Sequence, residues 1–173
     1  MFPTSMKLSF FTAALIALSV ITGCATAPAD APKFSAAPAA PEGFATVYVF
    51  RLSAPPFSRE IKLSIAGKPL FAATEQAYTW AYVRAGTHTV YAEWPTELFG
   101  SKQWPDASTT LALEAGKSYF VRALGDVGIV SGGFLSGGSI VRRSGLIVLP
   151  QETGQAQLIA CCRYIKPVLS VVE

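Results

Sequence analysis

The sequence predicts a mainly β chain, a small antiparallel β-sandwich with one short C-terminal helix. Three observations lead there. From Phe44 onward the apolar residues recur with a period of two, the mark of strands that bury one face. Three Ala-Gly dipeptides, Ala66-Gly67, Ala85-Gly86 and Ala115-Gly116, each separate two such runs, where a tight hairpin asks for positive φ. Helical spacing shows in one late stretch, about residues 152–163.

The first strand, residues 46–52, is β-branched and aromatic and apolar on both faces, as in a central strand. Residues 59–65 alternate, with Ile61, Leu63 and Ile65 inward and Glu60, Lys62 and Ser64 outward. Residues 76–83 set Tyr78, Trp80 and Tyr82 on one side, and residues 87–94, 108–114, 118–124 and 145–149 complete the series. Pro150 ends the last strand. In the helix that follows, Leu158, Ile159 and Cys162 form the buried stripe, and Gly154 weakens the first turn.

Two units precede the strands. Residues 1–23 hold a basic start at Lys7, an apolar run from Phe10 to Ile21 and the small Gly23 before Cys24, the pattern of a bacterial lipoprotein signal peptide. In that chemistry diacylglycerol joins the Cys24 sulfur, and cleavage follows between Gly23 and Cys24. Acyl chains of the palmitate type then hold the chain to a bilayer at about 0.8 kcal/mol per buried methylene. Residues 24–43 are rich in alanine and proline, too interrupted for helix, and read as an extended tether starting at lipidated Cys24. Ala25 stands where an aspartate would retain a lipoprotein at the inner membrane, so the expected location is the outer membrane, facing the periplasm. Residues 44–173 are then a single domain, long enough for one real core.

Charge excludes one class of partner. Only 14% of residues are charged, and apart from Arg59-Glu60 and Arg142-Arg143 they stand singly, so nothing resembles the clustered cations of a nucleic-acid footprint. Catalytic arrangements fare no better. His88 is the sole histidine and sits in a strand, where it reads as a hydrogen-bonded structural residue, so no enzyme is expected. Cys161 and Cys162 lack the spacing of a zinc site, and no metal or cofactor is expected. A bond between neighbouring cysteines closes a strained eight-membered ring that rarely fits a helix, which leaves free thiols, an intermolecular bridge or a redox role; free thiols are the first reading, with Cys162 buried and Cys161 the more exposed. Gly116-Lys117-Ser118 fails as a phosphate loop because Leu111 stands where that loop needs glycine. What remains is aromatic. Trp80, Trp94, Phe99 and Trp104, with Phe134 in the glycine-rich segment 131–139, are the candidate contacts for a ligand or partner.

The strand from Ala45 to Arg51, the turn Ile65-Ala66-Gly67-Lys68, the run from Ala85 to Val90 and the run from Ala115 to Arg122 occur in this order. In these residues the chain resembles the bacterial lipoprotein family known as domain of unknown function 2846, over roughly residues 44–165. The resemblance implies a small β-rich envelope domain and brings no activity or catalytic residue. Ala85 departs from it where such domains often carry proline, and Cys161-Cys162 doubles a late cysteine. The function expected is a non-enzymatic interaction or envelope-support role, with the membrane engaged through the N-terminal lipid and an envelope protein as partner. The alternative is a carrier of a small apolar ligand or lipid. Its sign would be an open apolar pocket lined by Trp80, Trp94 or Trp104.

Overall fold

The computed structural model describes residues 26–53, 60–96, 102, 104–130 and 139–173, with backbone alone for 127–130 and 139–140. Along these residues the chain runs β1 (Phe44–Arg51), β2 (Ile61–Ile65), β3 (Lys68–Ala73), β4 (Ala77–Arg84), β5 (Gly86–Glu93), β6 (Ala107–Leu113), β7 (Ser118–Val130), β8 (Ser139–Leu149), α1 (Gln151–Cys161), β9 (Arg163–Tyr164) and β10 (Val171–Val172). The larger sheet has the order β10-β4-β1-β7-β8, with β9 sharing the outer edge of β4, and the smaller has the order β3-β2-β5-β6. Two packed sheets and a short late helix are the expected architecture.

The antiparallel description needs one correction. It holds throughout the smaller sheet, but in the larger one β7 runs parallel to β1, and β9 and β10 run parallel to β4. The cause lies in the turns. Only Ala66-Gly67 closes a hairpin, with φ of 51° and 74° at its two residues, as a type I′ turn requires. Ala85-Gly86 and Ala115-Gly116 instead carry the chain from one sheet to the other, because β4 and β7 belong to the larger sheet and β5 and β6 to the smaller. Between β1 and β7 the chain therefore passes through all of the smaller sheet, the long crossover that a parallel pair needs. Both crossings are fastened at the start of β1: Ala85 N donates to Gly43 O at 2.9 Å and Gly116 N to Phe44 O at 2.8 Å. This is called the Gly43 end of the molecule, and the opposite one, where β1 stops, the Arg51 end.

Burial follows the strand period. Val47 and Val49 of β1, Ile61, Leu63 and Ile65 of β2 and Val121 of β7 fill the space between the sheets, each at most 1% exposed. A second cluster lies on the outer face of the larger sheet, where Tyr48, Phe50, Tyr78 and Phe120 meet Leu158 and Cys162 of the helical layer. Gly154 is the contact point of α1: a Cβ placed there would lie 2.3 Å from Phe120 Cβ. With Gly154 and Leu158 turned to the sheet, Ile159 is rotated about 100° away and is 63% exposed, so it does not belong to the stripe assigned to it. Cys161 and Cys162 are joined by a disulfide, where free thiols were expected. The pair straddles the helix end, and Cys162 has extended dihedrals (φ −105°, ψ 152°), so the ring is not imposed on helical backbone.

Residues 26–43 are extended, as their prolines require, but they are not a free tether. They cross the outer face of the larger sheet from the Arg51 end to the Gly43 end. Thr26 pairs with Glu75, Lys33 with Arg163, and Ala27 joins the main core at 8% exposure. Tyrosine hydroxyls hold the middle: Ser35 N donates to Tyr78 Oη at 3.2 Å and Ala37 N to Tyr48 Oη at 2.9 Å, while Tyr82 Oη donates to Pro38 O at 3.1 Å. Phe34 lies 5.5 Å from the Tyr78 ring and 6.0 Å from the Tyr48 ring. The described contacts therefore start at Thr26 and not at residue 44. At the other extreme, residues 163–172 run along β4, and Val168 N donates to Leu70 O at 2.7 Å, closing the gap between β4 and β3.

Candidate functional site

The Arg51 end gathers the unusual chemistry. β1 delivers Arg51 to the interior by strand alternation, and the residue is fully buried. Its Nη1 donates to Ala73 O at 3.2 Å, and its guanidinium carbon lies 5.2 Å from the centre of the Trp94 ring. Burial pushes its pKa down to about 10, with Glu75 pulling the other way, so Arg51 keeps its charge at neutral pH. Trp94 stacks on Trp104 at 5.4 Å with 23° between the planes, and Arg142 of β8 lies 5.5 Å from the Trp104 ring. Two arginines and two tryptophans are thus linked in series. Cation–π contact compensates in part for taking a guanidinium out of water.

Asp106 fixes the segment that carries Trp104. Its carboxylate accepts from Tyr91 Oη at 2.7 Å, from Trp94 N at 2.9 Å and from Lys102 Nζ at 2.6 Å. Burial opposes ionisation of Asp106, but these three donors prevail and hold its carboxyl below the usual value. Ser144 of β8 donates to Pro105 O and fastens the same segment from the other side.

The candidate contact residues separate under this geometry. Trp94 and Trp104 are 1% and 4% exposed and belong to the main core. Trp80 is on the other side of the larger sheet, half-buried, with Tyr82 at 5.1 Å and Tyr164 at 6.3 Å. The structure brings Trp94 and Trp104 together and leaves Trp80 apart. Phe99, Phe134 and Cys24 lie outside the described residues. A depression of about 390 Å³ on the smaller sheet is lined by Glu60, Lys62, Glu93, Pro95 and Thr96, and another of about 200 Å³ by Leu52, Ser53 and residues 122–125. Neither includes the three tryptophans. His88 is half-buried and its Nε2 donates to Arg84 O at 2.8 Å, a structural bond within the Gly43 end. Among the described residues no three of His, Cys, Asp and Glu cluster as metal ligands would.

Sequence reasoning missed Arg51, Asp106 and Arg142. Arg51 carried a signal, a lone cation in a strand otherwise apolar on both faces. Asp106 and Arg142 carried none, since their partners are brought in by tertiary packing.

What fold and site define is a class: a two-sheet β domain whose tryptophans are committed to packing and whose first described residues are bound to one end of it. Comparison of the chain with protein-family models, curated proteins and solved structures finds no match.

Proposed function

We propose that this chain is a lipid-anchored domain of the bacterial envelope, held at the periplasmic face of the outer membrane, with a non-enzymatic role in binding another envelope component. The observation that carries the reading is the pairing of Thr26 with Glu75. The signal pattern assigns the acyl chains to Cys24, and two residues of chain reach at most about 7 Å. Such an anchor would hold the body against the headgroups instead of letting it drift on twenty residues of tether. Binding falls to the outer face of the smaller sheet, where Lys62, Thr87, Thr89, Tyr91, Ser108 and Thr110 alternate outward. Neither α1 nor residues 26–43 cross that face. The carrier reading gains no support, because the rings it needs in an open groove are stacked in the core or against neighbouring tyrosines.

Radiolabelled palmitate tests the anchor. Label should enter the intact chain, and Cys24→Ala should remain an unlabelled precursor. Equal labelling of the two would overturn the proposal.

A further inference from the structure

The disulfide of Cys161 and Cys162 stands at a junction of the fold. A bond between sequence neighbours ties no distant parts of the chain together, so it restricts the unfolded chain less than any longer loop and adds little to stability. What it does fix is local. Its ring contains two backbone torsions, ψ of Cys161 and φ of Cys162, at the step where α1 gives way to extended chain. The helix has no basic residue in its last turn and no glycine after it, so the ring is the device that ends it. The next two residues form β9 and are gripped on both sides. Arg163 N donates to Gln76 O at 2.8 Å, beside β4, while Tyr164 N donates to Pro32 O at 2.7 Å and Arg163 Nη1 to Ala31 O at 3.4 Å. β9 therefore lies between β4 and the first described segment, and the chain direction that the ring sets is the one that clasps residues 31–33. The two cysteines are unequal. Cys161 is half-buried and open to a reagent, whereas Cys162 is 2% exposed. Arg51 O lies 3.9 Å from Cys162 Sγ, an acceptor that a disulfide sulfur has no hydrogen to engage and a thiol has. The interior thus already holds a partner for the reduced form.

We propose that Cys161–Cys162 is a thiol–disulfide exchange site for a dithiol, and that its state sets how firmly residues 26–37 are held to the larger sheet. A thiolate of the dithiol attacks Cys161 Sγ, the S–S bond breaks, and Cys162 leaves as a thiolate. The second thiolate of the dithiol then attacks the dithiol's own sulfur in the mixed disulfide and releases Cys161. Two electrons have passed to the protein, the dithiol has become a disulfide, and its two protons end on the two cysteines. With the ring open both torsions are free, and β9 loses the constraint that keeps it against residues 31–33. The exchange does not depend on the lipid anchor; on the anchored reading above, a loosened segment lengthens the tether between Cys24 and the body.

The full chain, exposed under native conditions to dithiothreitol, tests this. The tryptic peptide 144–163 carries Cys161 and Cys162 but not Cys24, so iodoacetamide added after acid quench, removal of the dithiol and unfolding reports on the pair alone. Without dithiol that peptide should carry no label and after treatment two, while the amides of β5 and β6 keep their protection from hydrogen exchange. A pair already labelled without dithiol, or one reduced only as β5 and β6 lose protection, overturns the exchange site. In the reduced chain the amides of Ser35, Ala37 and Tyr164 should exchange about tenfold faster. Unchanged exchange there, or an equal rise throughout the sheets, overturns the clasp. A Cys161→Ala, Cys162→Ala chain should exchange at those amides as the reduced protein does and should ignore dithiothreitol. Protection equal to that of the oxidised protein, or a response to the dithiol, overturns the clasp too. Failure of this variant to fold makes the pair a structural support and overturns it as well.

Discussion

Gly154 joins local preference to packing in one position. Helix propensity alone favours alanine there by about 1 kcal/mol. The contact reverses the sign, because the new Cβ would meet Phe120 Cβ, an atom fixed to the strand and unable to swing away. Gly154→Ala should therefore lower stability by about 1–3 kcal/mol, read as a lower melting temperature with the helical signal retained. Trp104 was a candidate for ligand contact, and its burial moves it elsewhere. Trp104→Ala removes the stack on Trp94 and the platform for Arg142, and should cost about 3–5 kcal/mol in a denaturant titration. An unchanged titration would return Trp104 to the surface.

Among the elements, the segment at residues 26–43 departs furthest from what composition suggests. Alanine and proline signal extended chain, and extended chain it is. The signal says nothing about where such chain lies, since its donors and acceptors are met by tyrosines far along the sequence. β3 was illegible for a related reason: Pro69 interrupts it, its burial does not alternate cleanly, and the register slips between Leu63 and Ser64. β2 could be read residue by residue because one face is core and the other water. Parallel pairing of β1 with β7 leaves no local trace at all, whereas an alternating pattern does.

Two of the tyrosines that hold residues 26–43 give the fold a pH dependence. Burial raises the pKa of Tyr48 and of Tyr78 above 10.0, only partly offset by the bonds from Ala37 N and Ser35 N. A phenol that holds its proton more tightly when folded contributes stability that is complete below pH 10.0 and is lost as pH rises through its folded value. Melting temperature should hold to about pH 9 and fall by about pH 11, and the fall should be smaller in a Tyr48→Phe, Tyr78→Phe chain. A chain beginning at Pro41 lacks Phe34 and the bonds to the three tyrosines, and should be less stable by about 1–3 kcal/mol than one beginning at Thr26.

At the scale of the whole molecule, the sandwich has two open flanks and each is shut by a different device. β8 shuts one, with Leu146 against the main core. Residues 163–172 shut the other, pairing with β4, reaching β3 through Val168 and burying Val172 completely. Removing residues 166–173 should cost about 3–5 kcal/mol, from the burial of Val172, the bonds of Val168 N to Leu70 O and of Tyr82 N to Ser170 O, and the ladder of β10 with β4, and should raise dye binding by exposed apolar surface.

That second closure also has a consequence in time. Synthesis proceeds from the amino end, so β4 is complete some eighty residues before β9 and β10 exist to cover its edge. During that interval one side of a finished, tyrosine-rich strand offers its amides and carbonyls to whatever strand comes near. A nascent or slowly secreted chain is then a template for pairing with its own copies, a hazard that the completed molecule no longer carries on that flank.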